Sequence, residues 1–181
     1  KGSLDSRDEL ELVNIADIDH FLPFEEQFPL YQQLWRDPQQ DTSDSSRIQL
    51  DKKNFVDQVN KIKPTRTNPL LLNPKLNQLA TERAQSMLKF NDLSFEATQS
   101  GQTQEYFLTQ NQFPASQWGE ITYQGYYTVE ELIERITQSI NNQNFFRSPE
   151  FTQIGIGISQ GNFNNCPTQL IVIHLTGYTP P

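Results

Sequence analysis

The segment TVEELIERITQSINNQNFFRSPEFTQIGIGISQ, residues 128–160, decides the fold because its hydrophobic period changes partway along. Thr128 and Glu131 form a capping-box pattern, which predicts the start of a helix. Apolar residues then recur at helical spacing, which predicts a helix over residues 128–141 with an irregular crossing after it. From residue 153 the period becomes two, with Ile154, Ile156 and Ile158 on one side, so a strand is predicted there.

The same strand carries Gly155 and Gly157 on its other side. Glycine inside a strand often marks a place where another backbone approaches closely, so we expect an element to pack tightly there. The IGIGIS pattern does not indicate a phosphate loop, since no GK[ST] follows and no helix opens at that point.

Two further helices and a closing strand are predicted from capping and periodicity. Asp51, with a hydrophobic staple around it, predicts a helix over 51–63, and Asn73 with Pro74 predicts a helix over 74–89. The QLIVIHLTGY segment near the C-terminus has apolar residues on both faces, which is typical of a strand covered on both sides. The three helices are therefore expected to cover both faces of a sheet in three layers.

The segments between these elements give weaker signals. WGEITYQGYY, residues 118–127, is predicted to be a short strand or strand-like turn. Residues 91–116 form a long polar loop, and Tyr106, Phe107 and Leu108 within it favour a short helix or strand.

Composition and charge disfavour several classes of function. The 181 residues carry a net charge of −8, whereas proteins that bind nucleic-acid backbones or anionic lipid usually present a basic surface. A single cysteine, Cys166, rules out an internal disulfide, and no apolar run is long enough to span a bilayer. The chain opens at Lys1 without a starting Met or a signal peptide, so we expect that a targeting segment has been removed.

Residues 1–49 differ from the rest and are predicted to be an N-terminal arm and linker, with a domain over 50–181. The arm is acidic and contains an aromatic patch, whose candidate partner-binding residues are Phe24, Phe28, Tyr31 and Trp35. Such a patch either packs on its own domain or docks a partner protein, since exposed apolar clusters usually have a use.

The order of four segments resembles the CAP superfamily (cysteine-rich secretory proteins, antigen 5 and pathogenesis-related 1), in its bacterial SCP-like form. FVDQVNKIKPTRTNPLLLNPKLNQLATERAQSM is similar to the family's opening helices, and WGEITYQG to its Gly-Glu-Asn segment. TQSINNQNFFRSPEFTQIGIGI and LIVIHLTG are similar to its later helix-strand segment and its closing strand. The resemblance implies an α+β fold, namely a three-layer α/β/α sandwich with a central, mainly antiparallel sheet and a cleft.

In many members two histidines and one or two acidic residues meet in that cleft, and the histidines can hold a divalent metal. This chain departs from that pattern. The two histidine positions correspond to Phe95 and Asn142, the second acidic position to Ser139, and only the first acidic residue is kept, as Glu120. Phenylalanine cannot ligate a metal and asparagine is a weak zinc ligand, so we expect no metal site and no cofactor.

Two further residues, His174 and Cys166, could carry chemistry. A lone strand histidine such as His174 is more typical of a hydrogen-bonded core residue than of a ligand, and a cysteine nucleophile would need a base close to Cys166. Tyr123 is a candidate for lining the cleft, since aromatic walls suit apolar ligands, although it could equally pack the rim of the sandwich.

These patterns favour a non-catalytic CAP-type binding module outside the cytoplasm, whose ligand is a small apolar molecule or a protein partner. The candidate ligand-binding residues are Phe95, Glu120, Tyr123, Ser139 and Asn142. Two alternatives are a hydrolase that uses Glu120 and a structural component that docks through the arm.

Overall fold

The computed structural model describes residues 50–63 and 68–177 of the chain. The predicted arm, with Phe24, Phe28, Tyr31 and Trp35, lies outside the described residues. The elements in chain order are helix α1 (Lys52–Ile62), strand β1 (Leu71–Leu72), helix α2 (Pro74–Phe90), helix α3 (Gln104–Gln110), strand β2 (Gln117–Gln124), helix α4 (Val129–Gln138), helix α5 (Ile140–Arg147), strand β3 (Gln153–Phe163) and strand β4 (Cys166–Gly177).

The described strands form one mixed four-stranded sheet in the order β1-β3-β4-β2. β3 and β4 are joined by a hairpin and pair antiparallel over their full lengths, and β2 pairs antiparallel with β4. The short β1 runs parallel to β3. The sheet is therefore mainly antiparallel, as the resemblance implied.

Each face of the sheet is covered by helices, which gives three layers. On one face, apolar residues of α1, α4 and α5 pack against alternate residues of β3 and β4, including Ile154, Ile156, Ile171 and Ile173. On the other face, α2 packs against Leu170 and Val172 of β4, and α3 packs beside α2. The predicted α+β fold with covered faces is confirmed. Among the described residues no helix is long and apolar enough to cross a membrane.

Helix α2 lies directly on the glycine side of β3. Its N-terminus is capped by Asn73, whose side chain accepts hydrogen bonds from the backbone N–H groups of Lys75 and Leu76, as predicted. A Cβ atom added at Gly155 would lie 2.4 Å from the backbone carbon of Leu76, and one at Gly157 would lie 2.1 Å from that of Ala80. The two glycines thus allow the helix backbone to approach the strand, which confirms the predicted tight packing.

The helix predicted over 128–141 is wrong at its C-terminal end. The Thr128–Glu131 capping box is present, but α4 ends at Gln138 and a second helix, α5, begins at Ile140. Ser139 between them is extended (φ −108°, ψ 119°), and its hydroxyl accepts a hydrogen bond from the backbone N–H of Asn142. Because serine is a good N-cap, it starts a new helix here instead of continuing the first.

Candidate functional site

Glu120 lies in the middle of edge strand β2, and its side chain points toward α2. It is the ladder partner of His174 on β4. One carboxylate oxygen, Oε2, lies 3.0 Å from Nε2 of His174 and 3.1 Å from Nε of Arg83, while Oε1 lies 3.3 Å from Nη2 of Arg83. The side chains of Arg83, Glu120 and His174 are at most 3% exposed. The three residues therefore form a buried polar cluster between the sheet and α2, called the Arg83–Glu120–His174 cluster below.

Sequence analysis missed Arg83, although the sequence contains a signal for it. The apolar face of α2 recurs at Leu76, Leu79, Ala80, Ala84 and Met87, and Arg83 falls on that same face at helical spacing. A charged residue on a buried face has to find a partner, because an unpaired buried charge is very costly. The pattern therefore indicated a buried carboxylate opposite α2, but it could not identify which one.

The cluster keeps the Glu120 carboxyl ionised. Burial alone would raise the pKa of this group, but the hydrogen bond from His174 and the positive charge and hydrogen bonds of Arg83 outweigh burial and hold its pKa below the usual value. A carboxyl group that serves as a general acid near neutral pH needs a raised pKa instead.

Burial has the opposite consequence for His174. It lowers the pKa of the imidazole, and the neighbouring Glu120 offsets this only in part, so the ring is neutral at pH 7. A neutral ring that donates its Nε2 proton to Glu120 has an unprotonated Nδ1. That Nδ1 is buried and has no hydrogen-bond partner within the described part of the chain.

Arg83 also holds the segment between α2 and α3, residues 91–103, called the 91–103 loop below. Its Nη2 donates to the carbonyl oxygen of Ser94 at 2.8 Å, and its Nη1 donates to that of Gln102 at 2.9 Å. The carbonyl oxygen of Phe95 lies 3.5 Å from the same Nη2. One guanidinium thus joins both ends of the loop to Glu120.

Asp92 organises the first half of the loop from within. Its carboxylate accepts hydrogen bonds from the backbone N–H groups of Ser94 and Gln99 and from the hydroxyl of Thr98. Burial would raise the pKa of this carboxyl, but these hydrogen bonds lower it to about 2.

We expect Asp92→Asn to destabilise the protein by about 1 kcal/mol at pH 7, a value reduced for the solvent that still reaches this carboxylate. Because the pKa of Asp92 is lower in the folded state, its stabilisation is complete above about pH 5 and is lost as the pH falls toward 2. Urea unfolding of both proteins from pH 7 to pH 2 measures this difference. A gap between them that does not shrink in acid would contradict the assignment.

The candidate ligand-binding residues are not all on one side of the sheet. Phe95 lies in the 91–103 loop beside Arg83, and the residue is 57% exposed. Tyr123 is fully buried in the core on the opposite face, so its burial favours the packing alternative for this residue. Helix α5, which carries the buried Asn142, packs on that opposite face too, and its Phe145 contacts β2 at Gly119. Ser139 caps this helix. Their roles in ligand binding remain predictions.

The geometry does not favour a cysteine nucleophile. Cys166 is exposed and begins β4 at the hairpin, while His174 lies eight residues along the same strand, about 26 Å away at strand spacing. Within residues 50–63 and 68–177, no group of three or more His, Cys, Asp or Glu side chains is placed to hold a metal ion.

Comparison with known proteins identifies the fold. The sequence matches no model of a protein family, and no curated protein matches it significantly. Among solved structures, an extracellular protein containing an SCP domain from Bacillus anthracis str. Ames is similar at a TM-score of 0.58 and 14% identity, over 69% of this chain and 39% of that one.

Two other solved structures are similar. An outer surface protein from Borrelia burgdorferi gives a TM-score of 0.56 at 12% identity, over 70% of this chain and 92% of that one. A cysteine-rich secretory protein from Staphylococcus aureus gives a TM-score of 0.51 at 11% identity, over 70% of this chain and 39% of that one. This chain therefore spans 39% of the length of two of the three structures and most of the third. It has a CAP-like fold, the α+β arrangement of SCP-domain proteins.

Proposed function

We propose that this CAP-like module binds a protein partner and does not catalyse a reaction. The observation that carries the non-catalytic part of the proposal is that the Glu120 carboxylate is buried and paired. The carboxylate is enclosed and bonded to both Arg83 and His174, so it is committed to the interior of the protein.

The alternative of a hydrolase based on Glu120 is less well supported by the geometry. A general acid or base has to reach its substrate within hydrogen-bonding distance, directly or through one water. The Glu120 side chain is 3% exposed and is covered by Arg83, whose two terminal nitrogens are bonded to the 91–103 loop. A substrate would have to displace both the guanidinium and the loop.

The proposed contact surface consists of Phe95 and Trp118, which lie in the two segments that this cluster joins, the 91–103 loop and β2. Phe95 projects from the loop that Arg83 holds, and Trp118 precedes Glu120 by two residues on the same side of β2. The two aromatic residues are 57% and 40% exposed. Exposed aromatic side chains on a rigid support are enriched where proteins bind one another.

The module is proposed to act outside the cytoplasm. The three similar structures are described as an extracellular protein, an outer surface protein and a cysteine-rich secretory protein. A surface contact with another protein of the envelope or the extracellular space fits this placement.

Site-specific photo-crosslinking tests the contact surface. We expect a photoreactive phenylalanine analogue at position 95 or 118 to give a discrete protein adduct with an envelope or extracellular fraction of the source organism. The matched control is position 140, because Ile140 is 56% exposed but lies on α5 in the opposite layer. Once the partner is identified, Phe95→Ser should weaken its binding at least tenfold, since buried aromatic contacts dominate such interfaces.

The pattern of adducts separates the alternatives. Adducts at positions 95 and 118 of low mass, without a protein band, would indicate a small apolar ligand in place of a protein. Equal adducts from positions 95, 118 and 140, or none from 95 and 118, would contradict the proposed surface.

The aromatic residues Phe24, Phe28, Tyr31 and Trp35 are proposed as a further partner contact. Deleting residues 1–49 tests this. If these side chains bind the partner, the melting temperature of the shortened protein stays unchanged while recovery of the partner falls. A lower melting temperature with unchanged recovery would instead mean that the arm packs on its own domain.

A further inference from the structure

Arg83 links the interior of the protein to the surface that carries Phe95. Arg83 belongs to α2, and its guanidinium is buried. Each of the three guanidinium nitrogen atoms donates a hydrogen bond. Two of the acceptors are backbone carbonyl oxygens of the 91–103 loop, at Ser94 and Gln102. The planar fork of an arginine suits this arrangement, because its donors have fixed directions and can reach separate acceptors at once.

The position of that guanidinium depends on Glu120. The carboxylate accepts from Nε and Nη2 of Arg83, which leaves Nη1 and a second proton of Nη2 to point at the loop. His174 fixes the carboxylate from the other side, through Oε2. Three side chains, His174, Glu120 and Arg83, therefore join strand β4, strand β2, helix α2 and the loop in series.

Besides the bonds from Arg83, the loop is hydrogen-bonded to the sheet and to α2 at its first residues: Asn91 bonds through its side chain to Asn164 of the β3–β4 hairpin, and the N–H of Asp92 donates to the carbonyl oxygen of Met87. The other hydrogen bonds of its central residues are internal, such as those from the N–H of Gly101 to the carbonyl of Ala97 and from the N–H of Gln102 to the hydroxyl of Ser100. The carboxylate of Asp92 likewise bonds only to residues of the loop itself. Internal hydrogen bonds alone do not outweigh the conformational entropy of a short loop, so the order of this loop depends on its attachment to the protein.

We propose that Glu120 is a positioning residue: through Arg83 it holds the 91–103 loop closed, and so sets how Phe95 is presented to a partner. The inference rests on the proposed binding role of Phe95. Without the carboxylate, Arg83 would be a buried cation with no counter-charge, and it would turn toward solvent and release Ser94 and Gln102. The loop would then open while the sheet and its helices remain folded, as local unfolding allows.

Native-state amide hydrogen exchange tests this without any ligand. The probes are the loop amides of Gln99, Gly101 and Gln102, compared with sheet amides of β3 and β4. In Glu120→Gln, which keeps the shape and removes the charge, we expect loop amides to exchange at least tenfold faster relative to sheet amides. Arg83→Lys should show the same effect, because one ammonium group cannot reach both carbonyls and Glu120.

The control is Ile136→Val, which weakens the core on the other face without touching the cluster. We expect it to speed the exchange of sheet amides and to leave the loop amides unchanged, because the loop opens locally. The same pattern in Glu120→Gln and Arg83→Lys, without a selective rise in loop exchange, would overturn the proposal. If Glu120→Gln does not fold, the milder Arg83→Lys decides, with selective loop exchange supporting the proposal and wild-type loop protection overturning it.

The positioning role of Glu120 and the binding role of Phe95 can be tested separately. Phe95→Ser should leave loop exchange unchanged and weaken partner cross-linking from position 118 at least tenfold if both ideas hold. Selective loop opening in Arg83→Lys together with no partner at position 95 would contradict the binding role alone.

Discussion

Glu120→Leu is expected to lower the free energy of unfolding by about 3–5 kcal/mol, because the Arg83 guanidinium must then either stay buried without a counter-charge or give up its hydrogen bonds to the loop. The side chain of Arg83 is 1% exposed, so water cannot replace the lost carboxylate without a rearrangement. For a domain of this size the melting temperature should fall by about 10 °C or more. Urea unfolding followed by circular dichroism measures the change.

The double variant Arg83→Met/Glu120→Leu separates a buried ion pair from an ordinary packing contact. Removing both charges avoids the unpaired cation, so we expect the double variant to be more stable than Glu120→Leu alone. It should not fully regain wild-type stability, since His174 and the carbonyl oxygens of Ser94 and Gln102 lose their partners. If the stability lost in the double variant equals the sum of the losses in Arg83→Met and Glu120→Leu, the two residues are not coupled.

Gly157→Ala is expected to cost about 3 kcal/mol, at the upper end for overpacking of a core. The new Cβ atom would lie 2.1 Å from the backbone carbon of Ala80 and 2.2 Å from the backbone nitrogen of Thr81. Neither atom belongs to a flexible side chain, so helix α2 would have to move away from the sheet. Thermal unfolding followed by circular dichroism measures the loss.

Gly161→Ala on the same strand is the matched control. Its Cβ atom would meet only the flexible side chain of Leu88, at 3.1 Å, so a loss below about 1 kcal/mol is expected. Equal losses in the two variants would show that strand propensity, and not the approach of α2, determines the need for glycine.

The fold was largely predictable because its main signals are local. The Thr128–Glu131 capping box, the Asn73 cap and the alternation around Gly155 and Gly157 each report on a few neighbouring residues, and each is present in the structure. The break at Ser139 was not predicted, since the apolar face continues through Ile140 and gives no sign that the serine hydroxyl begins a second helix.

The candidate site was predictable only in part, because its bonds join distant parts of the sequence. Arg83 and Glu120 are 37 residues apart, and Glu120 and His174 are 54 apart, so their meeting depends on the strand order and on which face α2 covers. His174 was correctly expected to be a hydrogen-bonded core residue, but its partner was not identified. The location of Tyr123 depends on the strand alternation, which places it on the face opposite Glu120.

The structure indicates that the Glu120 carboxyl is ionised and paired with Arg83 and His174. Carbon-13 NMR titration of the Glu120 side-chain carboxyl from pH 7 downward measures this directly. The predicted result is a midpoint below the ordinary value of 4.5, with stability lost as the pH falls through that midpoint. A midpoint above 4.5 would be the opposite result, because it would mean that burial outweighs the bonds from Arg83 and His174.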